Sequence, residues 1–106
     1  MKSILHNKED KTCFLCIVLG DDSSQKKVLH EHHVFYGTSN RKNSEKYGLK
    51  VYLCPAHHNM SHDSVHFNKD YDEIVKITAQ RVFEKDHTRE EFISIFGKNY
   101  LPEVHE

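Results

Sequence analysis

Tryptophan is absent and hydrophobic residues make up only 37% of the chain, so whatever core it builds is lean. No apolar run approaches the roughly 20 residues that span a bilayer, and the stretch from Met1 to Lys11 is polar with mixed charge, unlike a secretion signal. These absences exclude a membrane partner and make the cytoplasm the expected compartment. An excess of one charge is missing too: the formal net charge is −1, which excludes a basic footprint over the whole protein. Repeats, low-complexity tracts and long linkers are lacking. Three cysteines cannot close into a disulfide framework. With 106 residues the chain has room for one domain, 1–106, and a domain this small buries a modest share of its surface, so something besides apolar packing is expected to help hold it together.

Histidine is what the chain has in excess. Ten histidines beside three cysteines, in a reducing compartment, point to metal. Charge is also unevenly spread. Between Lys26 and Lys50 stand Lys26, Lys27, Arg41, Lys42, Lys46 and Lys50 against only Glu31 and Glu45, while both ends are acidic. Such a basic stripe can face a phosphate backbone or simply be a solvated surface.

The expected architecture is α+β. A zinc knuckle is expected over residues 10–20, carrying Cys-Phe-Leu-Cys and followed by the turn signal Gly20-Asp-Asp-Ser-Ser24. A ββα core is expected over 26–66. Its first strand runs over the β-branched and aromatic stretch from Val28 to Tyr36, ended by Gly37. Its second runs from Tyr47 to Leu53, so that the polar residues 38–48 form a long basic hairpin connection. Pro55 marks a helix start, because proline's missing N–H is tolerated in a first turn, and the helix is expected to reach His62 before Asp63-Ser64 breaks it. Two C-terminal helices fall within 70–97. In the first, Tyr71, Ile74, Val75, Thr78, Ala79, Val82 and Phe83 recur at helical spacing, with Asn68 or Asp70 as cap. The second opens on the capping-box pattern Thr88-x-x-Glu91 and closes on Gly97. Packing is the expected role of both.

Cys13-x2-Cys16 is half of a tetrahedral zinc site, because this spacing lets a tight turn aim both sulfurs at one ion. Cys54-x2-His57 repeats the spacing with imidazole replacing one thiolate. The spacing favours His57 over His58 as fourth ligand. A Cys3His site of this kind is closed to substrate and would serve as the staple.

A second group remains: His30, His32 and His33 on the first strand, and His58 and His62 on the helix. Residues four apart stack on one helical face, whereas His57 points about 100° away from His58, so one helix can serve two ions. His30 shares strand parity with His32 and could be a ligand in its place, and His66 continues the four-residue spacing beyond His62, but both are expected at the surface or behind a ligand. Glu31 or Asp63 could orient a ligating imidazole.

The stretches His32-His-Val-Phe-Tyr-Gly37 and Leu53-Cys-Pro-Ala-His-His-Asn59, followed by His62, resemble the HNH endonucleases, also called ββα-metal or His-Me finger nucleases. Within that family they look most like phage recombination-enhancing nucleases, and the His58/His62 pair is similar to that of nuclease colicins. The resemblance covers Cys13 to His62. It implies a DNA endonuclease in which His32, His58 and His62 hold one divalent ion, His33 is the general base and the product carries a 5′-phosphate. An imidazole with a pKa of about 6.5 suits proton removal from water near neutrality. Three imidazoles suit Mn²⁺, Ni²⁺ or Zn²⁺ as well as Mg²⁺.

Two features depart from the family. Many HNH proteins carry an Asn shortly before the Leu-Cys pair; here that place reads Gly48-Leu49-Lys50, leaving Asn40 or Asn43 as substitutes. Strand neighbours also face opposite sides, so His32 and His33 can serve one phosphate only where the strand ends or distorts. The alternative reading is a non-catalytic zinc module that binds nucleic acid through Lys26, Arg41, Lys42 and Lys46. A histidine-rich metal-buffering or interaction domain is a third, which no feature requires.

Overall fold

Two four-residue strands and the helices around them carry the chain's chemistry. The computed structural model describes residues 2–58 and 64–102, with Thr38 described by its backbone alone. After a 3-10 turn at Lys8–Asp10, Cys13 leads into α1 (Phe14–Gly20), which Asp21 ends in a left-handed conformation with its N–H on the carbonyls of Cys16 and Ile17. Strand β1 (His30–His33) pairs antiparallel with β2 (Lys50–Leu53), placing His30 opposite Leu53, His32 opposite Val51 and His33 opposite Lys50. Every residue of β2 is buried, as expected of a short strand covered on both faces.

Both strands are shorter than their sequence suggests, because the segment between them is folded. Residues 38–47, expected as an open basic connection, form helix α2 (Thr38–Tyr47). Gly37 (φ 94°) turns the chain into the helix, and Gly48 (φ 70°) ends it with its N–H directed at the carbonyls of Glu45 and Ser44. The turn at Gly48 is also crowded. A Cβ there would lie 2.5 Å from the Lys2 carbonyl oxygen, because the N-terminal segment runs alongside and Ile4 donates to the Gly48 carbonyl at 2.9 Å.

Helix α3 (Pro55–His58) follows β2 directly, completing a β-β-α element with α2 inserted between the strands. The remainder of the helix expected to reach His62 lies outside the described residues. The chain returns at Ser64, and the Val65 N–H bonds the His57 carbonyl at 2.8 Å, which folds the turn at 64–67 back onto α3.

The two C-terminal helices match the expectation closely. In α4 (Lys69–Phe83) the Asn68 side chain accepts from the N–H groups of Asp70 and Tyr71, and in α5 (Arg89–Phe96) Thr88 accepts from Glu91 while Gly97 closes the helix in a left-handed conformation. Val75, Ala79, Phe83, Phe92 and Phe96 are buried from these helices and join Leu15, Val34, Phe35, Leu49, Val51 and Leu53 in one core. Phe35 sits at its centre, with ring centroids 5.3 Å from Phe92 and 4.7 Å from Phe96, separations at which aromatic pairs attract. Among the described residues no helix is long and apolar enough to cross a membrane.

Candidate metal centres

Local geometry assembles the first cluster from both ends of the described chain segment 2–58. Cys13 is the N-cap residue of α1 but makes no capping bond with its side chain, and Cys16 lies one turn further along. Cys54 leaves β2 and His57 lies in α3. The His57 Nδ1 atom is 3.5 Å from the Cys13 sulfur, 3.4 Å from that of Cys16 and 3.5 Å from that of Cys54, and the sulfurs of Cys16 and Cys54 are 3.9 Å apart. A tetrahedral zinc with Zn–S near 2.3 Å and Zn–N near 2.0 Å demands edges of roughly 3.8 Å between sulfurs and 3.5 Å from sulfur to nitrogen. The cage therefore has zinc dimensions. Burial, followed by the neighbouring thiols Cys13 and Cys54, pushes the Cys16 thiol up to about 12. Three crowded thiols resist ionising together, and a dication among them reverses that penalty.

The second cluster is built on strand parity. His30 and His32 lie on the side of β1 that meets α3, where the His32 ring centroid is 5.4 Å from His58 and 5.6 Å from His66. His58 and His66 are 4.9 Å apart by centroid, with their Nε2 atoms at 3.3 Å. One nitrogen from each of His32, His58 and His66 lies within 4.8 Å of the others. His30 approaches from behind, its Nδ1 2.9 Å from that of His58. The Nε2 atom of His32 is buried and has no hydrogen-bond partner among the described residues, an arrangement that costs about 1–3 kcal/mol if nothing meets it. Burial, then the charges of His58 and His66, pulls His32 down to about 3; burial, then His66 and His30, pulls His58 down to about 4. Both rings are neutral near pH 7, which is the form that binds metal.

His62 lies outside the described residues, as does Asp63. His66, expected at the surface or behind a ligand, keeps an exposed edge but stands within ligand reach of His32 and His58. The four-residue spacing from His62 singles His66 out, but what brings it into the cluster is the turn at 64–67, which the Val65 N–H bond to the His57 carbonyl folds back. Two further residues come from α4, read from sequence as packing alone. Tyr36 stands 6.0 Å from His32 and 6.1 Å from His66 by ring centroid. Its hydroxyl donates to Asp72 at 3.0 Å, and Lys76 lies 4.5 Å above its ring while pairing with Asp72 at 2.8 Å.

His33 is not brought into the imidazole cluster. As strand alternation requires, it faces the other side of β1, with Nε2 3.0 Å from a Glu45 carboxylate oxygen and 3.7 Å from one of Glu31. Glu31 therefore leans toward His33 and Lys50, not toward a ligating imidazole. The groove beside His33 is lined by Tyr36, Arg41, Lys42 and Glu45, so Tyr36 borders both the groove and the imidazole cluster.

The basic stripe is divided by the fold. Arg41 and Lys42 line the His33 groove. Lys46, further along α2, rests 5.4 Å from the Tyr47 ring. Lys26 is bound to Asp22 at 3.1 Å and faces a different groove with Lys8, Lys11 and Lys27. Lys50 is buried against Glu31 and Glu45.

Ser44 is fully buried in α2. Its hydroxyl donates to the Phe35 carbonyl at 2.7 Å and accepts from the Phe35 N–H at 3.1 Å, pinning α2 to the chain just beyond β1. Asn40 and Asn43 instead donate to the carbonyls of Phe96 and Ile95 on α5. No family model, curated protein or solved structure matches the chain.

Proposed function

We propose that the protein is a metal-dependent DNA endonuclease of the HNH type, folded as a single domain over residues 1–106, with a structural zinc at Cys13, Cys16, Cys54 and His57. The observation that carries this reading is the second cluster: neutral imidazoles of His32 and His58, joined by His66, converge where a buried ring nitrogen lacks a partner. His57 and His58 are consecutive in α3, so one short helix serves a sealed cage and an open centre. His62, which lies outside the described residues, is proposed as a further ligand of the same ion beside His32 and His58.

The chemistry asked of the chain is hydrolysis of a phosphodiester. A strand laid across Tyr36 would have His33, Arg41 and Lys42 on one side and the imidazole cluster on the other. Arg41 and Lys42 hold phosphate oxygens, and Lys76 adds positive charge beside Tyr36. His33 takes a proton from water, the water oxygen bonds to phosphorus, and the P–O3′ bond breaks with its electron pair on the departing oxygen, leaving a 5′-phosphate. A divalent ion on His32 and His58 would supply contact charge for the phosphorane and the leaving alkoxide. The working ion is one of Zn²⁺, Ni²⁺, Mn²⁺ and Mg²⁺, and a metal series in the plasmid assay identifies it.

The alternative is a nucleic-acid-binding module without catalysis, and the observation favouring it is the rotation of His33 away from His32. Supercoiled plasmid offered with each metal separates the two. Nicking that requires metal and is lost in both His33→Ala and His58→Ala supports the nuclease. Retained DNA binding with no nicking under any metal establishes the binding module in its place.

A further inference from the structure

We propose that Glu45 is the positioning residue of His33: its carboxylate holds the Nε2–H of the imidazole, so that Nδ1 is the nitrogen offered to the attacking water. This role rests on the nuclease reading of His33, which lies on the face of β1 opposite the imidazole cluster. A carboxylate is an acceptor only. The ring nitrogen 3.0 Å from Glu45 Oε2 must therefore carry the proton in the neutral ring, and the negative charge of Glu31 on the same side, at 3.7 Å and beyond hydrogen-bond reach, favours the same tautomer. The lone pair is left on Nδ1.

The carboxylate is itself held. Lys50, directly across the sheet from His33, donates to both Glu45 oxygens at 2.9 and 3.2 Å. The neighbour of Glu45 in sequence, Ser44, is locked to both polar groups of the Phe35 backbone. Strand, helix and partner strand thus close a loop of contacts around the imidazole, and α2 cannot turn without breaking one. Lys50 first and His33 second hold the Glu45 carboxyl at about 2, so the acceptor is ionised at any working pH. The three side chains Glu31, His33 and Glu45 also lie within reach of a common ion, but Lys50 already lies 3.5 Å from Glu31 and 2.9 Å from Glu45. A metal would have to expel a buried ammonium. The orienting role needs no such displacement and uses the same carboxylate-to-imidazole bond that fixes the tautomer of a histidine base in hydrolases, here with a half-exposed carboxylate held by Lys50.

The test uses the full chain, zinc-loaded and isotope-labelled, with ring-nitrogen NMR of His33 at pH 8. The wild type is expected to be protonated on Nε2, with a ring proton protected from exchange. In Glu45→Gln, the amide group next to Lys50 presents its N–H2 to the ring; the protected proton should vanish and the population move toward Nδ1–H. Thermal melting of the same sample establishes that the variant is folded. In the nicking assay Glu45→Gln should lower kcat by roughly 10²- to 10⁴-fold, with KM changed by no more than about threefold, and should add no further loss to His33→Ala. A wild type protonated on Nδ1, or a tautomer and exchange rate unchanged in folded Glu45→Gln, overturns the proposal. If the wild type never nicks DNA, the nuclease reading falls, and the tautomer measurement alone decides the assignment of Glu45.

Discussion

At the scale of single residues, the two clusters differ in how much of them is written locally. Cys13, Cys16, Cys54 and His57 are legible because each x2 pair is made by one turn of chain, and the two turns need only meet. The imidazole centre is legible by half: strand parity groups His30 with His32, but His66 reaches it through the turn that the Val65–His57 bond folds back, a tertiary event. His58 is the hub, in contact with His30, His32 and His66. His58→Ala should therefore abolish tight binding of the second ion and leave the first intact, so that metal analysis after dialysis falls from about two ions per chain to one. Two ions retained would place the second elsewhere. Gly48 gives a contrasting residue-level case, in which backbone alone decides. Alanine there adopts a left-handed conformation and drives Cβ into the Lys2 carbonyl. The conformational penalty alone is about 1–2 kcal/mol, so denaturant titration of Gly48→Ala should show at least that loss, and an unchanged midpoint would mean the N-terminal segment moves away at no cost.

At the scale of elements, the sequence reports helices that bury an apolar stripe and conceals those that do not. Helices α4 and α5 announce themselves by period and cap, down to the Asn68 and Thr88 side chains. Helix α2 carries Thr, Ser, Asn, Arg and Lys where a stripe would be, and its anchoring is polar: Ser44 to Phe35, Asn40 and Asn43 to α5. Periodicity has nothing to detect in such a helix, and the same omission lengthened both expected strands. The anchoring makes a prediction. Ser44 is fully buried, and Ser44→Ala would leave both polar groups of Phe35 without it, at about 1–3 kcal/mol for a buried unpaired group. Thermal melting should register that loss, and the NMR signals of His33 and Glu45 should broaden as α2 loosens. Loss of stability without change at His33 would uncouple the helix anchor from the groove.

At the scale of the whole molecule, the cage joins the N-terminal knuckle to the end of β2 and to α3, beside the core packing of Cys13 and Leu15 and the backbone bond from Ile4 to Gly48. Cys13 and Leu15 are in the core beside Leu53, yet α1 is a helix of seven residues, too short to persist alone in water. Helix α3 has only four described residues and needs an external hold even more. Structural zinc contributes apparent free energies of about 10–16 kcal/mol in small fingers, comparable to the entire stability of an ordinary domain. Chelation should therefore unfold more than the knuckle. Releasing His57 frees α3, which frees His58, so the second centre should dissolve with the first. Cobalt substitution reads the two separately, because only the cage gives sulfur-to-metal charge-transfer absorption. In Cys13→Ser that absorption should be lost together with near-ultraviolet dichroism from the aromatic core, and binding of the second ion should weaken at least tenfold. A variant that loses the sulfur bands while holding the second ion at wild-type affinity would mean that α3 is positioned by the sheet and by Val65, without the cage.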